Sequence, residues 1–198
     1  MSVETRALTG SALTQALPDL ARLRIEVFRA FPYLYEGSED YEQGYVRAYA
    51  ESRDALVVAA LDGSRIVGAA TAAPMEDHAA EFAAPFEARG LRLPDILYFG
   101  ESVLLPEYRG RGLGHAFFDA REAHARALGR PLCAFCAVIR PPDHPARPEG
   151  YRPHDAFWGK RGYVPEEGLV AEYSWRDIGA AGESAKPMQF WLRATPAA

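Results

Sequence analysis

The stretch SVLLPEYRGRGLGHAFFDA, residues 102–120, constrains this chain more than any other. An apolar run of strand character stops at Pro106, and an amphipathic helix begins near Leu113. Between them Gly110, Gly112 and Gly114 are interleaved with Arg111 and preceded by Arg109. Glycines let a ligand come close to the backbone. The first turn of the helix adds unpaired N–H groups of partial positive charge, and the two arginines add cationic donors. Together these features predict a site for a phosphate or pyrophosphate. Two familiar nucleotide loops do not fit. A Walker A loop needs Lys-Ser/Thr after its second glycine. A dinucleotide fingerprint needs G-x-G-x-x-G with an acid further on. Here the glycines read G-R-G-L-G, and the next strand runs into Ile139-Arg140.

The surrounding pattern gives the element order β-α-α-β-β-(α)-β-α-β-α-β-β. Leu20, Leu23, Val27 and Phe28 recur at helical spacing, with Arg22, Arg24, Glu26 and Arg29 on the other face and Pro18 near the helix start. A turn, FPYLYEGSEDYEQGY, leads into a second helix ending near Ala50. ALVVAAL and RIVGAATAA form a hairpin about Asp62-Gly63-Ser64. Residues 76–90 read as a short helix interrupted by Pro85, and ILYFGESVLL as one strand. The helix from Leu113 to Leu128 turns an apolar stripe inward, with Asp119, Arg121, Glu122 and Arg126 outward. PLCAFCAVI is a strand, RPPDHPARPEGYRP a loop, and Asp155–Lys160 a short helix. Leu169–Trp175 and Met188–Leu192 close the chain as strands. Only the region around residues 96–139 is a β-α-β crossover. The expected class is therefore α/β (α+β). A mixed, mostly antiparallel sheet of about seven strands carries helices on both faces, in a single domain over 1–198.

Composition limits the function. A net charge of −5 and a pI near 5.6 argue against nucleic acid and against a polybasic membrane anchor. No apolar run reaches the roughly 18 residues of a membrane span, and MSVETRALTG has no signal-peptide character. Two cysteines fit a reducing compartment, so a cytoplasmic setting is expected. Cys133 and Cys136 lie three apart on a strand and face opposite sides, which suits core thiols better than a redox or zinc pair. The five histidines show no metal spacing.

The segment L-x-P-x-Y-R-G-x-G-L-G resembles the acetyl-CoA motif of the GNAT superfamily of N-acetyltransferases. Its core, R/Q-x-x-G-x-G/A, is matched by Arg109, Gly112 and Gly114. D-A-F-W-G-K-R-G-Y is similar to that family's short helix closing on Gly-aromatic. The resemblance runs over about residues 5 to 193. It implies the GNAT-like acyl-CoA N-acyltransferase fold, acetyl-CoA as co-substrate, and no metal. It further implies a fourth strand splayed from the fifth, with the pantetheine arm bonded near Val103, Leu104 and Leu105. The pyrophosphate would rest on residues 109–114, with Gly110, Arg111 and Leu113 completing that set. The acceptor amine would enter from the other side and attack the thioester directly. Trp158 stands beside the cofactor where many relatives carry a tyrosine. An indole N–H donates a hydrogen bond but is no acid near neutral pH, so a proton donor would come from Tyr151, His154, Tyr163 or solvent.

Direct transfer makes its own demands. A primary alkyl amine, of pKa roughly 10, must lose a proton before it attacks. Glu101, three residues before Leu104, is the candidate base, and Tyr98 is a second candidate whose ring also suits the core. Tyr33, Tyr35 and Glu36 gather carboxylate and aromatic groups in the turn that shapes the acceptor site in the resembled family. His154 belongs to a loop bordering that mouth. Tyr45 and Tyr49 read as packing residues. Trp175 and Trp191 read as core or as a homodimer contact. The expected activity is acetyl transfer to a small-molecule amine, with a preference for a cation. An acyl-CoA-binding sensor and a protein acetyltransferase are the alternatives, and a nucleotide-binding oxidoreductase is a distant one.

Overall fold

The computed structural model describes residues 3–78 and 80–197. Strands β1 (Glu4–Leu8), β2 (Leu56–Asp62) and β3 (Arg65–Pro74) form an antiparallel ladder. Most of β2 and nearly all of β3 are buried, as their Ala- and Val-rich runs demand of strands covered on both faces. Helices α1 (Gly10–Phe28) and α2 (Glu39–Glu51) intervene between β1 and β2. The Ser38 side chain caps α2, accepting from the Tyr41 N–H, and Glu39, Asp40 and Glu42 occupy the first turn, where a helix favours negative charge. Helix α1 starts at Gly10, so Pro18 lies inside it rather than near its start. Burial of Leu13, Ala16, Leu20 and Leu23 on either side outweighs the backbone hydrogen bond that the proline cannot make.

Helix α3 (Ala80–Ala88) leads to β4 (Ile96–Tyr98) and β5 (Ser102–Leu104). The expected single strand ILYFGESVLL is thus two. Ala73 faces Tyr98, whereas Ala70 faces Ser102, so the register slips by one between them. Thr71 meets both residues of the slip: its carbonyl accepts from the Gly100 N–H at 3.2 Å, and its N–H donates to the Glu101 carbonyl at 3.0 Å. This is a β-bulge. Helix α4 (Leu113–Ala127), β6 (Leu132–Val138), α5 (Asp155–Lys160), β7 (Val164–Arg176) and β8 (Glu183–Ala194) complete the chain. The sheet order is β1-β2-β3-β4-β6-β8-β7, with β5 on β3. Among the described residues only β4 and β6 pair in parallel. The mixed, mostly antiparallel sheet with covered faces is therefore present.

Side-chain alternation assigns the helices. Glu101 reaches Arg24 of α1, and Ser102 reaches Arg121 of α4. Tyr98 and Cys136 pack with Phe82 of α3, while Phe99, Cys133 and Phe135 pack with Phe118 of α4 and Trp158 of α5. Thus α1 to α3 cover one face, and α4 and α5 the other. The two thiols lie free on opposite faces. Three charged side chains expected outside are inside: Arg24, Arg121 and Glu122 are all buried. Each is fully engaged there, as buried charges require. Glu122 is held by Arg161, Arg193 and the Tyr163 hydroxyl.

Candidate active site

The bulge separates β5 from β6. The Phe99 N–H makes a last bond to the Ala134 carbonyl, after which β5 pairs only with β3 and the rest of β6 only with β8. A gap opens between them. Register decides which peptide groups face it. The Glu101 carbonyl accepts from the Thr71 N–H of β3, and the Leu105 N–H bonds the Val67 carbonyl at 3.1 Å. In an antiparallel ladder the bonded pairs alternate, so Val103 also turns to β3, while Ser102 and Leu104 turn to the gap. Of the expected trio, Leu104 has the open backbone edge, and Val103 and Leu105 contribute buried side chains.

After a single turn of 3-10 helix at Pro106–Tyr108, the loop reaches α4. Gly110 and Gly112 have φ of 76° and 81°, which favours glycine, and a Cβ at either would meet nothing within 4 Å. Gly112 caps α4 without a side-chain bond, so the first N–H groups of the helix face that open space. Leu113 packs inward and Gly114 lies against Phe157. Arg109 and Arg111 are exposed at the rim, anchored to the Leu104 and Glu107 carbonyls. Glycine backbone, free donors and two cations suit a pyrophosphate, and the open edge of Leu104 suits an amide-bearing arm. Trp158 stands half-buried on the α4 face of the gap, its ring 5.0 Å from Phe135 and 5.1 Å from Trp191.

On the opposite face Glu101 is 5% exposed and both its oxygens are engaged. Oε2 accepts from Arg24 Nη1 at 2.5 Å and from the Tyr45 hydroxyl at 3.3 Å, and Oε1 accepts from Thr71 Oγ1 at 2.9 Å. Arg24 Nε donates to Glu42 Oε2, also at 2.5 Å. One guanidinium therefore serves two buried carboxylates, with the Tyr45 ring 3.9 Å beneath it. Burial opposes the Arg24 charge, yet Glu101, Tyr45 and Glu42 hold it well above the ordinary arginine range. Burial and the Glu101 charge keep the Tyr45 phenol protonated far above its usual range. From the α4 face Arg121 donates to the Thr71 and Glu101 carbonyls and to Ser102 Oγ. The bulge is clamped from both sides.

Sequence reasoning missed Arg24, Glu42, Thr71 and Arg121: charge alone put Arg24 and Arg121 outside although they lie one turn from apolar Leu20 and Phe117, and Glu42 and Thr71 carry no signal in the sequence. Tyr98 bonds to none of these groups: its buried hydroxyl is bonded to Cys136 Sγ at 3.0 Å. Tyr33, Tyr35 and Glu36 each dock on the end of β7 and the turn after it. The Tyr33 carbonyl accepts from Trp175 Nε1, Tyr35 pairs with Asp177, and Glu36 meets Arg176 at 3.5 Å. His154 does not join them. It precedes α5, its ring is 5.8 Å from Trp158, and burial followed by the Arg109 charge lowers its pKa. It belongs with the glycine loop around Arg109. Of the other proton donors considered, Tyr163 is bonded to Glu122 and Tyr151 packs edge-on against Phe31 at 4.7 Å. Among the described residues no cluster of His, Cys, Asp or Glu could hold a metal, and no helix is long and apolar enough to cross a membrane.

Comparison with known proteins bears on the whole chain. Phosphinothricin acetyltransferase of Sinorhizobium meliloti, solved with acetyl-CoA, superposes with a TM-score of 0.60 at 17% identity, covering 98% of this chain and 89% of its own. YncA of Salmonella typhimurium, also solved with acetyl-CoA, gives 0.60 at 10% identity over 100% and 96%. PaiA N-acetyltransferase of Thermoplasma acidophilum, solved with coenzyme A, gives 0.55 at 14% identity over 98% and 99%. No curated protein matches the sequence significantly. The sequence signature of the acetyltransferase (GNAT) family matches residues 18–148, from within α1 to the loop beyond β6. With the sheet, the bulge and the glycine loop in their places, the chain belongs to the GNAT family of acetyltransferases.

Proposed function

We propose that the chain transfers the acetyl group of acetyl-CoA to the primary amine of a small cationic molecule, holding both at once in one domain. The bulge at Gly100–Glu101 carries this reading. It opens the gap on one face and directs the Glu101 carboxylate to the other. When bound, acetyl-CoA supplies an acyl thioester whose carbonyl carbon would bond the amine nitrogen as its C–S bond breaks, the sulfur leaving as thiolate and taking up the second proton that the nitrogen sheds. The helix α4 N–H groups, Arg109 and Arg111 bind the pyrophosphate, and the Ser102 and Leu104 peptide groups orient the arm along the gap. Trp158 and Phe135 wall the gap on the α4 side. A thiolate with the ordinary pKa of about 8.5 needs no dedicated proton donor, which accommodates tryptophan at position 158.

The acceptor faces Tyr45 and the acidic turn. Its ammonium proton passes to the Tyr45 oxygen as the Tyr45 hydroxyl proton passes to Glu101. On this face two carboxylates share Arg24, so one proton taken up by Glu101 leaves the Arg24–Glu42 pair balanced. A small acceptor is favoured over a protein because the loop after β6 folds back on the α1–α2 turn. Phe31 meets Tyr151 there, and Arg140 binds the Pro32 and Tyr33 carbonyls. The cytoplasm would supply both substrates and keep the two thiols reduced. The test is thiol release from acetyl-CoA with paired cationic and neutral amines. Release that depends on the amine, with the cationic partners ahead, is expected. Acetyl-CoA binding with no release for any pair would overturn the proposal in favour of a sensor.

A further inference from the structure

A partly enclosed cavity of about 190 Å³ lies between α2, the end of β3, α3 and β7. Tyr45, Tyr49, Phe82 and Tyr173 line it with rings, His78 and Asp77 complete its wall, and Gly44 of α2 leaves room at its side. Its deep end reaches the bulge. A Cβ on Gly100 would stand 2.0 Å from the Tyr49 hydroxyl, so glycine there admits that hydroxyl to the strand. His78 Nε2, a buried polar atom of the wall, has no hydrogen-bond partner among the described residues, and the buried Tyr49 hydroxyl lies beside those of Thr71 and Tyr45. Tyr49 is 3% exposed. A buried polar atom without a partner is costly, and it calls for an explanation such as a ligand that would meet it.

The chemistry of the wall names the ligand. Aromatic faces favour a flat apolar group and a nearby cation. The Glu42–Arg24–Glu101 cluster behind Tyr45 has two carboxylates for one guanidinium, partly offset by Arg121 across the bulge. Burial, opposed by the Glu76 charge, leaves His78 neutral, with a pKa of about 4, so it does not repel an ammonium. Asp77, bonded to Ser52, adds negative charge at the wall. We propose that this cavity is the acceptor's side-chain pocket and that it takes a primary arylalkylamine, with its nitrogen at Tyr49 and Tyr45 and its ring against Phe82 and Tyr173. A hydroxyl on the ring would donate to His78 Nε2. The inference rests on the proposed acetyl transfer only for the identity of the pocket as an acceptor site, so binding and turnover are measured separately.

Calorimetry without acetyl-CoA compares phenethylamine and its para-hydroxy analogue with a linear alkylamine of equal length. Thiol release compares kcat/KM for the same amines. The arylalkylamines are expected to bind and react at least tenfold better than the alkylamine, with the hydroxylated one first. In Gly44→Phe, where the new ring fills the cavity from an open helix position, that preference should fall to near unity. In His78→Phe the hydroxylated amine should lose its advantage over phenethylamine. Turnover of amines without an aryl preference would overturn this inference and leave acetyl transfer standing. Aryl-selective binding without turnover would keep the pocket and overturn the transfer reading. A preference unchanged in Gly44→Phe would also overturn it.

Discussion

Arg24 is the residue on which the acceptor face depends. It balances Glu42 and Glu101, both buried, and its ring contacts with Tyr45 and Phe28 leave little room for water. Arg24→Met should lower stability by about 3–5 kcal/mol, because two buried carboxylates would lose their shared cation; chemical denaturation measures it. Glu101→Gln should be milder for folding, since Arg24 and Glu42 remain paired. Its kcat should fall by about 10²–10⁴, the usual contribution of a positioned base, and the acidic limb of the pH–rate profile should flatten, with acetyl-CoA affinity unchanged. A Glu101→Gln enzyme with native kcat and pH profile would remove Glu101 from the proton path. Part of this was legible from α1: Arg24 lies one turn from both Leu20 and Phe28, on the apolar face, whereas Arg22 and Glu26 share the opposite face and meet solvent. Its partners, Glu42 of α2 and Glu101 of the bulge, come only from the tertiary fold.

The elements themselves were largely legible where apolar period and turn chemistry agree. The β2–β3 hairpin, α4 and β6 fall where Val/Ala runs, Gly63 and the Leu113–Leu128 stripe put them. The phosphate loop was legible because left-handed glycines leave a mark that few other residues can imitate. The bulge was not, because both halves of ILYFGESVLL are apolar strand formers and the one-residue slip is set by Thr71, Arg24 and Arg121 across the fold. Nor did the sequence separate the peptide groups facing the gap from those spent on β3. That division gives a prediction for β5. Leu104→Pro removes an N–H turned to the gap and no ladder bond, so the sheet should persist. Acetyl-CoA should bind about fivefold more weakly, in line with roughly 1 kcal/mol for one hydrogen bond; calorimetry with acetyl-CoA checks it. Ala69→Pro, which breaks a bonded pair with Val103, should instead unfold the sheet.

Across the whole molecule, one ionic clamp joins the acceptor-side loops. Arg140 holds the Asp177 carboxylate in two bonds of 2.9 and 2.8 Å while binding the α1–α2 turn. Lys186, 3% exposed, stands 3.4 Å from Asp177 and donates to the Trp175 and Ser184 carbonyls. Burial pushes the Asp177 carboxyl up, but Arg140 and Lys186 bring it below its ordinary value of 3.8. A depressed folded-state pKa stabilises above the unfolded value and is lost as pH falls through the folded one. The α1–α2 turn should therefore loosen as pH drops below about 4, seen as deprotection of the Tyr35 and Glu36 amides in hydrogen exchange. Asp177→Asn should show that loosening already at neutral pH.

The central proposal is acetyl transfer at a site that the bulge divides, with acetyl-CoA in the gap and an amine opposite. The most direct measurement is to follow isotope-labelled acetyl from acetyl-CoA by mass spectrometry in the presence of phenethylamine. Label on the amine nitrogen is expected, formed by the native chain and greatly slowed in Glu101→Gln. Label recovered only as free acetate, or on the protein itself, would contradict it.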